Sequence, residues 1–142
     1  MRRVASAAVI CLMLLSACTT ARTRASEDSD REPTRLEIGR ELYVKYCASC
    51  HGTDGKGNGP MAKDLSESPT NLTLIAEQHG GKFPYGLVMR SIGGRLSGTH
   101  DSQMPAWGRV FQADAAMDVN DRAAVEGRIM LLTGYLESIQ QK

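Results

Sequence analysis

The chain has few aromatic side chains: two Phe, four Tyr and one Trp in 142 residues. A small domain short of large rings has little apolar mass for a core, and burial at this size is marginal in itself. An excess of charge is also missing, with 17 Lys and Arg against 16 Asp and Glu. Nothing in that balance points to nucleic acid, which wants a basic face, and the mixed signs mark no single docking patch. No long hydrophobic run occurs either. The longest apolar stretch, Val4 to Leu15, is about a dozen residues, too short to span a bilayer. There is no internal repeat and no alternating strand pattern, so the helical spacings that do occur predict an all-α fold.

What is present at the N-terminus is an address. Arg2 and Arg3 precede the apolar run as in an export signal, and the run ends in Leu15-Ser16-Ala17-Cys18. That ending resembles a bacterial lipoprotein signal, in which cleavage precedes the cysteine and its sulfur receives lipid. The expectation is a signal peptide over residues 1–17, lipidation at Cys18, and a protein held at a membrane outside the cytoplasm without crossing it. Removing residues 1–17 takes Lys plus Arg from 17 to 15 against 16 acidic groups, a net charge near −1. Residues 19–34 (TTARTRASEDSDREPT) are polar and aperiodic and read, with Cys18, as a flexible tether. Residues 35–142 are left as one small domain.

The feature that carries chemistry is Cys47-Ala48-Ser49-Cys50-His51, a complete C-x-x-C-H and the pattern of c-type haem attachment. Two thiols three positions apart can each add across a haem vinyl group, and the following imidazole can bind the iron. A zinc site would need a second ligand pair, which the chain lacks. A thioredoxin-like dithiol would need βαβ surroundings, and these are helical. With Cys11 discarded, Cys18 lipidated and Cys47 and Cys50 on haem, no thiols remain for a disulfide framework. One buried haem would also supply the apolar mass that the composition withholds.

Around the motif, Leu36, Gly39, Leu42, Tyr43 and Tyr46 recur at helical spacing and predict a first helix from Leu36 to about Ala48. Residues 52–60 (GTDGKGNGP) hold four glycines and predict a loop. It is not a nucleotide-binding loop, since no Gly-Lys-Ser/Thr closes it. A short helix is expected over Leu72–Gln78, capped by Thr70 or Asn71 and stopped at Gly80-Gly81. Another is expected from Pro84 to Gly93-Gly94. Val125, Ile129, Leu132, Leu136 and Ile139 line one face of a last helix starting near Asn120 or Asp121. Residues 109–120 read as a longish connection.

Unless the site is open or holds water, a second axial ligand to the iron would come from His79, His100, Met61, Met89, Met104, Met117 or Met130. Met104 stands out because Pro105 follows it, and a residue before proline is held extended, as a ligand offered by a loop requires. Met89 and Met130 fall on apolar helix faces and read as core. His100, in the same loop, is the rival; His/Met ligation gives a higher potential than an all-nitrogen site.

With these features in view, the chain resembles the class I cytochromes c of the bacterial monohaem type over most of residues 35–142. The resemblance implies an N-terminal helix bearing the haem motif that crosses a C-terminal helix, with Gly39 and Tyr43 meeting Leu132, Tyr135 and Leu136. It implies one covalent haem c and its iron, held by Cys47 and Cys50 with His51 and Met104 as axial ligands. It further implies that the Pro60 carbonyl accepts the Nδ1 proton of His51, and that Trp107, in Met104-Pro105-Ala106-Trp107-Gly108, lies near the haem edge or a propionate. Arg90 and Arg95 are candidates to pair with propionates.

The function expected is one-electron transfer, with transient redox protein partners at the membrane and no small-molecule substrate. The alternative is a cytochrome c subunit of a membrane oxidase or dehydrogenase complex, chemically the same transfer. No distal acid/base pair is readable, which weighs against an autonomous enzyme, and there is no output domain for a gas sensor.

Overall fold

The computed structural model describes residues 31–95, 103–114 and 122–141. Cys18, His100, Met117, Asn120 and Asp121 lie outside them. The described residues contain helices and turns and no strand, in agreement with the all-α expectation.

Helix α1 (Arg35–Tyr46) starts at a capping box. The Thr34 hydroxyl accepts from the Glu37 N–H at 3.3 Å, and the Glu37 carboxylate accepts from the Thr34 N–H at 2.7 Å. Each group satisfies a donor that the first turn would otherwise leave open. Thr34 thus belongs to the folded unit as its cap, one residue before the boundary expected at 35. Cys47 closes α1 and opens the single turn α2 (Ala48–His51).

A 3₁₀ turn at Leu72–Leu74 leads into α3 (Ile75–Gln78). Asn71 caps the turn, its side chain accepting from the Thr73 N–H at 3.0 Å. Of the two cap candidates, Asn71 therefore takes the role and leaves the Thr70 carbonyl free for another. The chain leaves α3 through Gly80 and Gly81 at φ 68° and 83°. Helix α4 (Tyr85–Ile92) opens after Pro84 and ends at Gly93.

Residues 107–114 are helical, not a plain connection: α5 runs Trp107–Asp114. Its reason is Phe111, which has no exposed surface. Trp107, Val110 and Phe111 sit at i, i+3 and i+4, so one short face buries enough to fix the helix. Helix α6 (Arg122–Ser138) buries Val125, Ile129, Leu132 and Leu136, the face read from the sequence. Thr133 is buried among them, with its hydroxyl donating back to the Ile129 carbonyl at 2.7 Å. Met130 departs from expectation: it is about half exposed, and its carbonyl accepts the Tyr85 hydroxyl at 3.0 Å.

The first and last helices meet at Gly39. A Cβ there would run into the Leu131 carbonyl and the Tyr135 Cβ, so only glycine lets the two backbones come this close. One turn on, the rings of Tyr43 and Tyr135 pack at 5.2 Å. Gly39→Ala should cost about 1–3 kcal/mol by forcing the helices apart. Gly127→Ala on α6, where an added Cβ meets nothing within 4 Å, should be neutral or stabilising by up to about 1 kcal/mol. Denaturant midpoints of the two haem-loaded variants check the contrast.

Candidate functional site

The C-x-x-C-H motif is wound into one helical turn. The Cys50 and His51 N–H groups both donate to the Cys47 carbonyl, at 3.2 and 2.9 Å. Residues at i, i+3 and i+4 share a helix face, and Cys47, Cys50 and His51 all line one cavity. Ala48 is buried behind them.

The glycine loop exists to finish that turn. A helix leaves its last carbonyls without partners, and here three are met from the loop. The Gly57 N–H donates to His51 at 2.8 Å, Gly59 to Cys50 at 3.0 Å, and Met61 to Ser49 at 2.9 Å. The buried Tyr43 hydroxyl adds a 2.6 Å bond to the Gly52 carbonyl, anchoring the start of the loop to α1. Burial raises the Tyr43 hydroxyl far above the ordinary phenol range.

Past this loop the chain turns back and Thr70 meets His51. The ring Nδ1 of His51 lies 3.0 Å from the Thr70 carbonyl oxygen. A carbonyl can only accept, so Nδ1 carries the proton and the lone pair is left on Nε2. Burial lowers the imidazole pKa, opposed by the Thr70 bond, and this favours the neutral, metal-binding form. The expectation that Pro60 supplies this carbonyl is corrected. Pro60 is exposed between two residues whose N–H groups reach back to α2, and the chain has yet to turn over His51 at that point.

Thr70 is held from several sides. The Leu72 N–H donates to the Gly55 carbonyl at 2.7 Å. From the far end of the chain, the Gln140 side chain donates to the Leu72 carbonyl at 2.8 Å and accepts from the Ala76 N–H at 2.8 Å. Gly57, at φ 80°, has the Pro69 carbonyl where a Cβ would stand.

Met104 lines the same cavity as His51, with Pro105 and Trp107 beside it. Trp107 also packs edge-on against Tyr46 at 5.5 Å and stacks with Phe111 at 6.0 Å, so it serves both core and cavity. His79 bonds its own helix, Nδ1 to the Ile75 carbonyl at 2.8 Å. Met61 is half exposed, and Met89 packs against the core.

The cavity holds about 420 Å³, within the roughly 300–1,000 Å³ usual for small-molecule and cofactor sites. Leu65, Leu72, Ile75, Val88, Ile92, Leu132 and Leu136 make its walls apolar. Burial, and then the neighbouring Cys50, push the Cys47 thiol up to about 12. Reactive redox dithiols are lowered instead. Among the described residues no three His, Cys, Asp or Glu side chains converge as a metal site built from protein alone would require.

A family model described as cytochrome c oxidase, cbb3-type, subunit III matches residues 34–120. The chain belongs to this family of c-type cytochromes. No solved structure matches it significantly. The family implies haem c with its iron, and the residues fit that group: an apolar cavity with two thiols and an Nδ1-protonated imidazole on one turn. The cytochrome's Thr70 was missed from sequence because every residue has a carbonyl and no side chain marks the one used.

Gly57→Ala and Gly80→Ala both place a side chain at positive φ, a strain of about 1–2 kcal/mol each. Only Gly57→Ala also displaces Pro69, since nothing lies within 4 Å of a Cβ at Gly80. Gly57→Ala should therefore lose more stability. It should also raise the midpoint potential, because a weaker Thr70 bond leaves His51 a poorer electron donor to iron. Voltammetry and thermal melts of the haem-loaded variants test this, with Gly80→Ala expected to keep the parent potential.

Proposed function

We propose that the chain is a class I, monohaem cytochrome c acting as a one-electron carrier. Cys47 and Cys50 would hold haem c through their sulfurs, and His51 Nε2 and Met104 Sδ would bind its iron. The observation that carries this reading is the meeting of Cys47, Cys50, His51 and Met104 at one apolar cavity. The Cys47 and Cys50 thiols would hold the haem by adding their S–H across its vinyl carbons, an addition with no leaving group and no change of oxidation state. When bound, the haem supplies reversible exchange of one electron at iron.

The chain's own residues set the terms of that exchange. Thr70 fixes the His51 tautomer and makes Nε2 the better ligand. The thioether sulfur of Met104 favours Fe(II) and so a higher potential. Leu and Ile walls keep water from the porphyrin faces. With His51 and Met104 both on the iron, no substrate would need to enter.

The family description supports a second reading on the same chemistry, in which the cytochrome is a subunit of a membrane oxidase complex. In either case we place it outside the cytoplasm, anchored by lipid on Cys18 with residues 19–33 as tether and docking transiently to redox proteins at the membrane. Fully extended, that tether reaches on the order of 50 Å, and anchoring raises the local concentration of a membrane partner. Among the described residues no helix is long and apolar enough to cross a membrane.

The ligand assignment is tested by visible spectra of residues 19–142 loaded with haem, oxidised and reduced, with and without carbon monoxide. The parent protein should be low-spin, indifferent to carbon monoxide, and show the weak Met-to-Fe(III) charge-transfer band. Met104→Ala should lose the band and bind carbon monoxide at once; an unchanged spectrum would remove Met104 from the iron. The anchor is tested in full-length protein. Cys18→Ser should move the cytochrome from the membrane fraction to the wash, and retention in the pellet would discard lipid as the anchor.

A further inference from the structure

The span from Leu65 to Thr70 borders the cavity, with Leu65, Ser66, Pro69 and Thr70 among its lining residues. Its last residue holds His51 through the 3.0 Å bond to Nδ1. Its second residue makes a different connection. The Ser66 N–H donates to Gln103 Oε1 at 2.7 Å, and the Ser66 hydroxyl donates to the same oxygen at 3.0 Å. A backbone N–H cannot accept, so the amide of Gln103 must present its oxygen here, and two donors on one oxygen fix its orientation. Gln103 is the residue immediately before Met104, and it too lines the cavity.

Met104 is framed on one side by this bond and on the other by Pro105. Pro105 restricts the backbone of Met104 itself. The attachment recorded for Gln103 joins it to a residue 37 positions away. These two hydrogen bonds tie the segment bearing Met104 to the span whose other end bears the His51 acceptor.

We propose that Gln103 is a positioning residue for the sixth ligand: its side chain latches the Met104 segment to Ser66 at the cavity rim and so holds the methionine on the iron. The proposal rests on Met104 being that ligand. A thioether is a neutral ligand that exchanges with outside bases, and its retention depends on how often its loop swings away. With the latch closed, loss of the Fe–S contact leaves the sulfur in place to rebind. With the latch open, the segment can move off as a unit and an outside base can take the site. Apart from the two latch hydrogen bonds, only the coordination bond is exchanged, methionine sulfur for the outside base, and the iron keeps its oxidation state.

The test is the rate at which imidazole replaces the native ligand in the ferric, haem-loaded protein, read at saturating imidazole, where departure of the methionine is limiting. Gln103→Leu removes the acceptor at similar size and should raise that rate on the order of tenfold, the effect of losing one or two neutral hydrogen bonds. Ser66→Ala removes only the hydroxyl donor, keeps the N–H bond and should give a smaller rise. Gln103→Glu retains an acceptor oxygen and should keep the parent rate, a rescue that general loosening of the fold would not produce. In a Met104→Ala background Gln103→Leu should add nothing. Equal rates for parent, Gln103→Leu and Ser66→Ala, with Met104→Ala still changing the spectrum, would overturn the latch and leave the ligand assignment standing. A Met104→Ala protein with the parent spectrum would instead overturn the assignment and the latch with it. A tenfold rise in Gln103→Glu as well would assign the effect to packing and overturn the latch.

Discussion

The bond from His51 Nδ1 to the Thr70 carbonyl is 3.0 Å long and decides which ring nitrogen faces chemistry. A neutral imidazole has one donor and one acceptor nitrogen, and fixing the donor fixes the acceptor. Most of the irregular structure in the first half of the domain can be read as support for that carbonyl. Gly57 makes room for Pro69. Asn71 caps the next turn and Gly55 receives the Leu72 N–H. Gln140 reaches back from beyond α6 to hold Leu72 and Ala76. These contacts come from segments far apart in sequence, so a local change in any of them can reach His51 without touching it.

The low aromatic content and the cavity are two sides of one constraint. Tyr43, Phe111, Leu132 and Thr133 are the largest side chains with almost no exposure, and they sit where α1, α5 and α6 meet. Leu132 and Leu136 also line the cavity, so the core does not close on itself. A domain this size buries too little surface to be generous with voids. An apolar group that fills the space restores the packing, which makes the cofactor part of the fold as well as its working part. It also explains why Gly39 cannot be spared: the α1–α6 contact is the portion of the core that protein atoms complete alone.

Much of this was legible from residue patterns, and the gaps have a common physical origin. The Cys47–His51 turn, the face of α6 and the α4 boundaries at Pro84 and Gly93 follow from spacing, capping and proline geometry, all local, while the company of Met104 with His51 followed from the family resemblance. Thr70 escaped because its contribution is a backbone atom. Gln103 and Gln140 escaped because their partners lie 37 and 64 to 68 residues away and polar side chains carry no periodic signal. Helix α5 is an instructive intermediate case. Trp107, Val110 and Phe111 gave the right spacing, but Gly108 and the polar Arg109 and Gln112 diluted it over only two turns. Met130 was misread for the opposite reason, since an apolar residue on a long helix next to a buried neighbour need not share its face.

The two thiols show how burial sorts between chemistries that share a motif. In a redox dithiol the first cysteine must ionise easily, and nearby positive charge or a helix N-terminus provides for it. Here Cys47 stands at the start of the single turn α2, yet burial and the second cysteine push its thiol to about 12. A thiol kept neutral in an apolar wall is a poor disulfide exchanger and a poor zinc ligand, while addition to a vinyl group consumes the S–H and leaves a neutral thioether suited to that wall. The same environment lowers the charged form of His51. Desolvation thus acts on Cys47 and His51 in one direction, toward neutral sulfur and neutral imidazole, and that direction suits a haem site better than a redox or zinc site.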